Sequence, residues 1–259
     1  MMTFAFNKYQ GTGNDFIIID NRKGGFNATD SKLIKKLCDR RFGIGADGLI
    51  LIGNSCGLDY EMRYFNSDGN ESTMCGNGGR CAAAFSLRHG IATPSQRFLA
   101  PDGIHRAEVT ELSVKLKMNE VTDIEIKDGN YFINTGSPHY VIFTDNNSSL
   151  NVQEEGSRIR WSDTFAPGGT NVNFVETDSN GIFVRTFERG VEDETLSCGT
   201  GVTASAIASV ISGLVDTPPV SVRTKGGNLT VDFERTDSVI KEIWLTGPAE
   251  YVFDGKIDC

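Results

Sequence analysis

The sequence predicts an α/β (α+β-like) protein of two pseudo-symmetric domains, each with mixed strands wrapped around one central helix. Three observations predict it. A cysteine on a glycine-rich turn, followed by a small-residue helical run, occurs twice, at 72–90 and 195–213. Other landmarks repeat at the same spacing, and each half carries the same succession of short strands.

The two stretches read "STMCGNGGRCAAAFSLRHG" and "TLSCGTGVTASAIASVISG", and Cys198 lies 123 residues after Cys75. Holding that offset pairs Glu71 with Glu194, Gly76 with Gly199, Gly78 with Gly201, Ala83 with Ala206, Ser86 with Ser209 and Gly90 with Gly213. The same offset pairs Thr12-Gly13 of "GTGNDF" with Thr135-Gly136 of "NTGSPH", and Gly45 with Gly168. It also sets Phe16 against His139 and Asn66 against Arg189. Three separated anchors on one gapless offset indicate an internal duplication whose unit is a domain.

In chain order, short runs rich in β-branched and aromatic residues predict strands at Phe16–Asp20, Leu49–Ile52 and Tyr60–Phe65. Their counterparts are His139–Phe143, Val172–Val175 and Ile182–Phe187. Between the first two strands, Asp30–Asp39 predicts a helix, with Leu33 and Leu37 one turn apart and Gly43 past its end. The matching segment of the second half shows no clear pattern. After each cysteine turn and its helix, strands close the unit at Arg106–Thr110 and Val114–Met118, and at Val220–Thr224, Leu229–Phe233 and Ile243–Thr246. The tail "GPAEYVFDGKIDC" falls outside the second copy. The expected domains are therefore 1–118, completed by 247–259, and 119–246.

Composition narrows the function. Of 259 residues 39% are apolar and 23% charged, as in an ordinary globular protein. A net charge of −9 argues against nucleic-acid binding, so an anionic substrate must be held by local donors. The sequence predicts a cytoplasmic protein: it shows no secretory signal, and its longest small-residue run, 202–215, is too short for a membrane span. Six cysteines are too few for a disulfide scaffold, and with histidines only at 89, 105 and 139 no zinc pattern forms. "GTGNDF" lacks the dinucleotide spacing and no Walker lysine motif occurs, so neither metal nor cofactor is expected. Cys38, Cys56, Cys81 and Cys259 read as small apolar or spectator residues.

The cysteine turns carry the chemistry. Glycines leave backbone N–H groups unobstructed at the mouth of a helix, where the dipole favours a carboxylate. The same field favours the thiolate of a cysteine held there. One thiolate and one thiol on opposite faces of a substrate carbon would remove a proton and return another, while both helix mouths steady the charge on the α-carboxylate. A single thiol nucleophile with a histidine base leaves the second copy unexplained.

At these residues the chain resembles the diaminopimelate epimerases. The resemblance runs from "GTGNDF" through "RRFGIGADG", "YFNSDGNESTMCGNGGRC", "TGSPHYV", "NVNFV" and "FERGVEDETLSCGTG" to "GPAEYVFDG", essentially the whole chain. It implies two α/β domains with the active site in the cleft between them, a homodimer, and cofactor-independent interconversion of LL- and meso-diaminopimelate. By motif, Cys75 resembles the proton donor and Cys198 the proton acceptor. Asn14, Asn66, Gly76, Asn77, Asn171, Glu188, Arg189, Gly199 and Thr200 resemble substrate-binding positions, Arg189 being suited to the distal carboxylate by its planar fork. His139 and Glu188 match groups that tune the cysteines. The chain departs from the common pattern at Ser137 and Gly48, where relatives carry an asparagine or a glutamine, and each departure removes an amide. Proline or hydroxyproline racemases share the paired cysteines but need no second amino-acid centre, PhzF-like isomerases lack the pair, and an anion-binding module would do no chemistry.

Overall fold

The computed structural model describes residues 3–236 and 239–258. It divides into two compact units, Met1–Leu116 with Gly247–Cys259, and Lys117–Thr246. Cys259 lies outside the described residues. The chain opens with β1 (Thr3–Gly11), β2 (Asn14–Asp20), α1 (Ser31–Cys38), β3 (Gly48–Gly53), β4 (Tyr60–Asn66), β5 (Glu71–Ser72) and α2 (Gly76–Arg88). There follow β6 (Ser95–Ala100), β7 (Gly103–Val109), β8 (Val114–Lys117), β9 (Ile124–Lys127), β10 (Asn130–Asn134) and β11 (Pro138–Phe143). Then come α3 (Val152–Arg160), β12 (Asn171–Asp178), β13 (Gly181–Glu188), β14 (Asp193–Thr195) and α4 (Gly199–Ile211). The chain closes with β15 (Val220–Thr224), β16 (Gly227–Thr236), β17 (Val239–Gly247) and β18 (Glu250–Asp258). No helix among the described residues is long and apolar enough to cross a membrane.

Both units pair their strands alike. In the first, β1–β2 are antiparallel, β2–β3 parallel, β3–β4 antiparallel, β4–β6 parallel and β6–β7 antiparallel. The second repeats that order through β10–β11, β11–β12, β12–β13, β13–β15 and β15–β16. The outer strands cross over in the chain. β9, which follows the first copy, pairs with β10 of the second, whereas β18, which follows the second, pairs with β1 of the first.

The offset is not gapless throughout. Phe16 faces Gly48 as His139 faces Asn171, which keeps 123 residues. Leu49, however, pairs with Phe65, while Val172 pairs with Phe187, so β13 answers β4 at 122. Phe65 then meets Glu71 and Phe187 meets Glu194, restoring 123 with one extra residue in the second turn. Asn66 therefore corresponds to Glu188 rather than to Arg189. The corrected register explains a duplicated ion pair: Arg63 to Glu71 at 2.7 Å, and Arg185 to Glu194 at 2.7 Å.

Each unit wraps its sheet around one small-residue helix. α2 and α4 both have 13 residues and bury Gly, Ala, Ser and Thr on nearly every side, the pattern of a helix inside a core. α1 is amphipathic instead: Asp30 caps Leu33 N–H, and Ile34, Leu37 and Cys38 turn inward onto Leu49, Leu51 and Phe65. Its counterpart α3 escapes sequence reading because Gly156 sits mid-helix among charges. That glycine lies against Phe187, where a Cβ would overlap the ring, and Val152 packs with Val172 and Phe174.

Candidate active site

The two cysteine turns are built by one local rule. Cys75 and Cys198 are the N-cap residues of α2 and α4, each in extended backbone geometry. The helical ladders begin with Gly79 N–H to Cys75 O at 2.7 Å and Val202 N–H to Cys198 O at 2.8 Å. The amides of 76–78 and of 199–201 therefore precede those ladders, at the positive end of each helix. The repeated Thr-Gly turns serve the same mouths. Thr12 Oγ1 lies 3.5 Å from Asn77 Oδ1, and Thr135 Oγ1 donates to Thr200 O at 2.8 Å. Thr12 adopts a left-handed φ of 51° to do so.

Beside the half-buried Cys75, Asn14 and Asn77 have fixed directions. Asn14 Nδ2 donates to the Asp47 carboxylate at 2.7 Å, which turns Asn14 Oδ1 toward the Cys75 sulfur at 3.6 Å. Asn77 Nδ2 also donates to that oxygen, at 3.3 Å, because its own Oδ1 accepts from Arg80 at 2.9 Å. An amide oxygen only accepts, so Cys75 is the donor in its contact. Arg80 is fully buried, with its remaining donors on Thr12, Gly76 O and Pro248 O. Burial pushes its pKa down, and Cys81 and Cys75 oppose that. Asp47 is held in turn by Arg40 at 2.7 Å, which also binds Asp15. Burial opposes ionisation of Asp15, but Arg40 and Lys8 outweigh it and hold its carboxyl below the usual range.

Around the buried Cys198 the partners differ. Its sulfur lies 3.5 Å from Thr200 Oγ1, which lies 2.9 Å from His139 Nε2. His139 Nδ1 faces Asn173 Nδ2 at 3.1 Å, and Asn173 Oδ1 accepts from Thr186 Oγ1 at 2.9 Å. Burial drives the His139 pKa down to about 3; the Asn173 hydrogen bond opposes the shift and Arg189 adds to it. The ring is neutral at any physiological pH.

The other expected residues gather beside these turns or stand apart from them. Asn171 is buried, with Nδ2 on Ser137 Oγ and Pro138 O, both at 2.8 Å, and Oδ1 accepting Arg189 N–H at 2.9 Å. Its amide braces the turn that carries Arg189, and Ser137 accepts one of its donors. Glu188 ends β13 half-buried, and the Arg189 side chain is exposed with Nη1 3.4 Å from Gly168 O. Asn66, half-buried at the end of β4, faces Gly48, where a Cβ would meet the Tyr64 ring. Gly48 thus leaves room for an aromatic ring. Among the remaining cysteines, burial pushes the thiols of Cys38 and Cys81 up to about 12, while Cys56 is exposed.

Sequence reasoning missed Asp47, Arg80, Asn173 and Thr186. Asn173 left a signal: in "NVNFV" it alternates with Asn171 and so shares its strand face. Asp47 and Thr186 left none, because each acts through a residue that only the fold brings near it.

Comparisons with known proteins place the chain in a family and a fold. A family model described as "Diaminopimelate epimerase" matches residues 6–123 and 131–252. A diaminopimelate epimerase of Flavobacterium psychrophilum is 51% identical over 252 residues, covering 96% of this chain and 98% of the relative. One of Aquifex aeolicus is 43% identical, covering 97% of each. Among solved structures, a Bacillus anthracis phenazine biosynthesis protein of the PhzF family superposes with a TM-score of 0.76 at 17% identity, covering 100% of both chains. A hydroxyproline epimerase from Agrobacterium vitis superposes at 0.69 and 14% identity, covering 98% of this chain and 92% of that one. Those two likenesses share the duplicated α/β fold. On the family match and the close relatives together, the chain belongs to the diaminopimelate epimerase family.

Proposed function

We propose that this protein interconverts LL- and meso-2,6-diaminopimelate, a step in lysine and peptidoglycan-precursor synthesis, with Cys75 and Cys198 as a thiol–thiolate pair. The observation that carries the reading is the duplication itself. Each copy presents a cysteine as the N-cap of a buried 13-residue helix, in a chain 51% identical to a diaminopimelate epimerase.

In the forward direction the Cys198 thiolate removes the α-proton, and the Cys75 thiol delivers another to the opposite face. The roles exchange in reverse. The carbanion's charge spreads into the α-carboxylate, and the amides of Gly76, Asn77, Gly199 and Thr200 carry it as it builds. Arg189 suits the distal carboxylate, with Asn14, Asn66 and Glu188 fixing the amino groups and carbon chain of the substrate and Asn171 holding the turn that carries Arg189. His139 and Glu188 tune the thiols. The working form is a cytoplasmic homodimer that binds neither nucleic acid nor membrane.

The test is incubation of purified protein with LL- and meso-diaminopimelate in deuterated water. Both isomers should reach the same mixture with deuterium at the α-carbon. Exchange on proline or hydroxyproline alone would overturn the substrate, and exchange on no amino acid would overturn the chemistry.

A further inference from the structure

We infer that Asn173 is a positioning residue for Cys198: it holds His139 as the neutral Nε2–H tautomer, so that the Thr200 hydroxyl proton is directed at the Cys198 sulfur. The argument follows donors and acceptors one by one. A backbone carbonyl can only accept, and Tyr140 O lies 3.3 Å from Asn173 Nδ2, which fixes that end of the side chain as its NH₂. The same NH₂ lies 3.1 Å from His139 Nδ1, so Nδ1 accepts. A neutral imidazole then carries its proton on Nε2, which donates to Thr200 Oγ1 at 2.9 Å. The hydroxyl's own proton is left for Cys198 Sγ at 3.5 Å. At the far end Thr186 Oγ1 donates to Asn173 Oδ1 at 2.9 Å.

Burial and packing hold the chain of bonds in place. Asn173 and His139 are fully buried and Thr186 nearly so, which keeps water from competing with any link. Gly201, in the first turn of α4, lies against this pair, and a Cβ there would overlap Asn173 Oδ1. The first copy has no such device. At the matching places stand Phe16, Ile50 and Tyr64, and Cys75 faces an amide oxygen instead. A sulfur that receives an O–H is stabilised as a thiolate, and a sulfur facing a carbonyl oxygen keeps its proton. The hydrogen-bond directions thus predispose Cys198 to rest as the base and Cys75 as the acid. That consequence rests on the proposed epimerase reading; the tautomer does not.

The chain has three histidines, so ¹⁵N-imidazole NMR of the wild-type protein reads the tautomer directly. His139 should give one protonated Nε2 and one unprotonated, hydrogen-bonded Nδ1. A protonated Nδ1, or averaging between tautomers, would overturn the inference without any variant. In Asn173→Leu the two signals should average. The pH at which iodoacetamide half-labels Cys198 should rise while that of Cys75 stays. Turnover should show kcat lowered roughly tenfold, from loss of one charge-assisted hydrogen bond, with KM within about twofold. A folded Asn173→Leu protein with an unmoved Cys198 midpoint would refute the positioning role. If that variant fails to fold, the wild-type spectrum alone decides. Only kcat and KM use substrate, so a protein with the expected tautomer and labelling but no epimerisation would refute the function and leave this inference standing.

Discussion

Gly78 and Gly201 occupy the same place in the two helices, yet Gly78 lies on Ile50, Met62 and Phe16, and Gly201 on Asn173 and His139. Duplication preserved the cysteine N-cap, the glycines, the Thr-Gly turn and the Arg–Glu ion pair. It did not preserve what lies beneath. Under the first turn an apolar floor is joined by a buried cation, Arg80, whose place in α4 is taken by Thr203. Under the second a neutral polar chain leads to the sulfur. The difference teaches that a symmetric scaffold can carry an asymmetric pair of thiols through side chains that need not touch a substrate.

The largest effect tests what the two turns share. Cys75→Ala and Cys198→Ala should each lower α-proton exchange by about 10³-fold or more, since each removes one of two proton carriers. Circular dichroism should report an unchanged fold. Should either alanine variant keep near-normal exchange, the turns are not equivalent partners and the duplication argument fails. Substituting the exposed Cys56 by serine should leave exchange unaltered.

The next effect probes the two floors. Gly201→Ala drives a methyl into the Asn173 amide, which is itself fixed by its hydrogen bonds, and should cost about 2–4 kcal/mol. Gly78→Ala places its methyl 3.3 Å from Ile50 Cδ1, the mobile end of an aliphatic side chain, and should cost about 1 kcal/mol or less. Urea unfolding of both variants measures the contrast. Equal losses would mean that the floors differ in chemistry but not in rigidity.

How much of this was legible in the sequence follows from what is local. The cysteine caps, the glycines that follow them and the strand pattern are local, so the duplicated α/β fold and the place of both cysteines at helix mouths could be read directly. The register of β13 was not, because one extra residue between Phe187 and Glu194 is invisible until strand pairs are seen. α3 hid behind Gly156, whose purpose is a close approach to Phe187 from another element. Asp47 and Thr186 act through partners 33 and 13 residues away, at Asn14 and Asn173, and no spacing rule reaches that far. Asn173 shares a strand face with Asn171, but only the location of His139 gives that pattern a meaning.

The smallest effect separates the floors by pH. Unfolded, His139 takes up a proton near its ordinary value of 6.5; folded, it does so only at about 3. Above 6.5 both states are neutral there and the residue adds no pH dependence. As pH falls below 6.5 the unfolded chain binds a proton that the folded one refuses, so stability declines until about pH 3. At pH 5 the loss should be roughly 2 kcal/mol. Its counterpart Phe16 cannot titrate, so that place in the first copy adds no pH dependence. His139→Phe, which installs the residue of the first copy, should remove the share of the decline due to His139, whatever it does to stability at pH 7. His89 also titrates low from partial burial, but it is present in both proteins and cancels. Unfolding free energies of wild type and variant at pH 7 and pH 5 give the comparison. If the two proteins lost the same amount, His139 would be gaining a proton in the folded state. An imidazolium has no acceptor nitrogen left for Asn173, so the polar floor under Cys198 would then have to run in another direction.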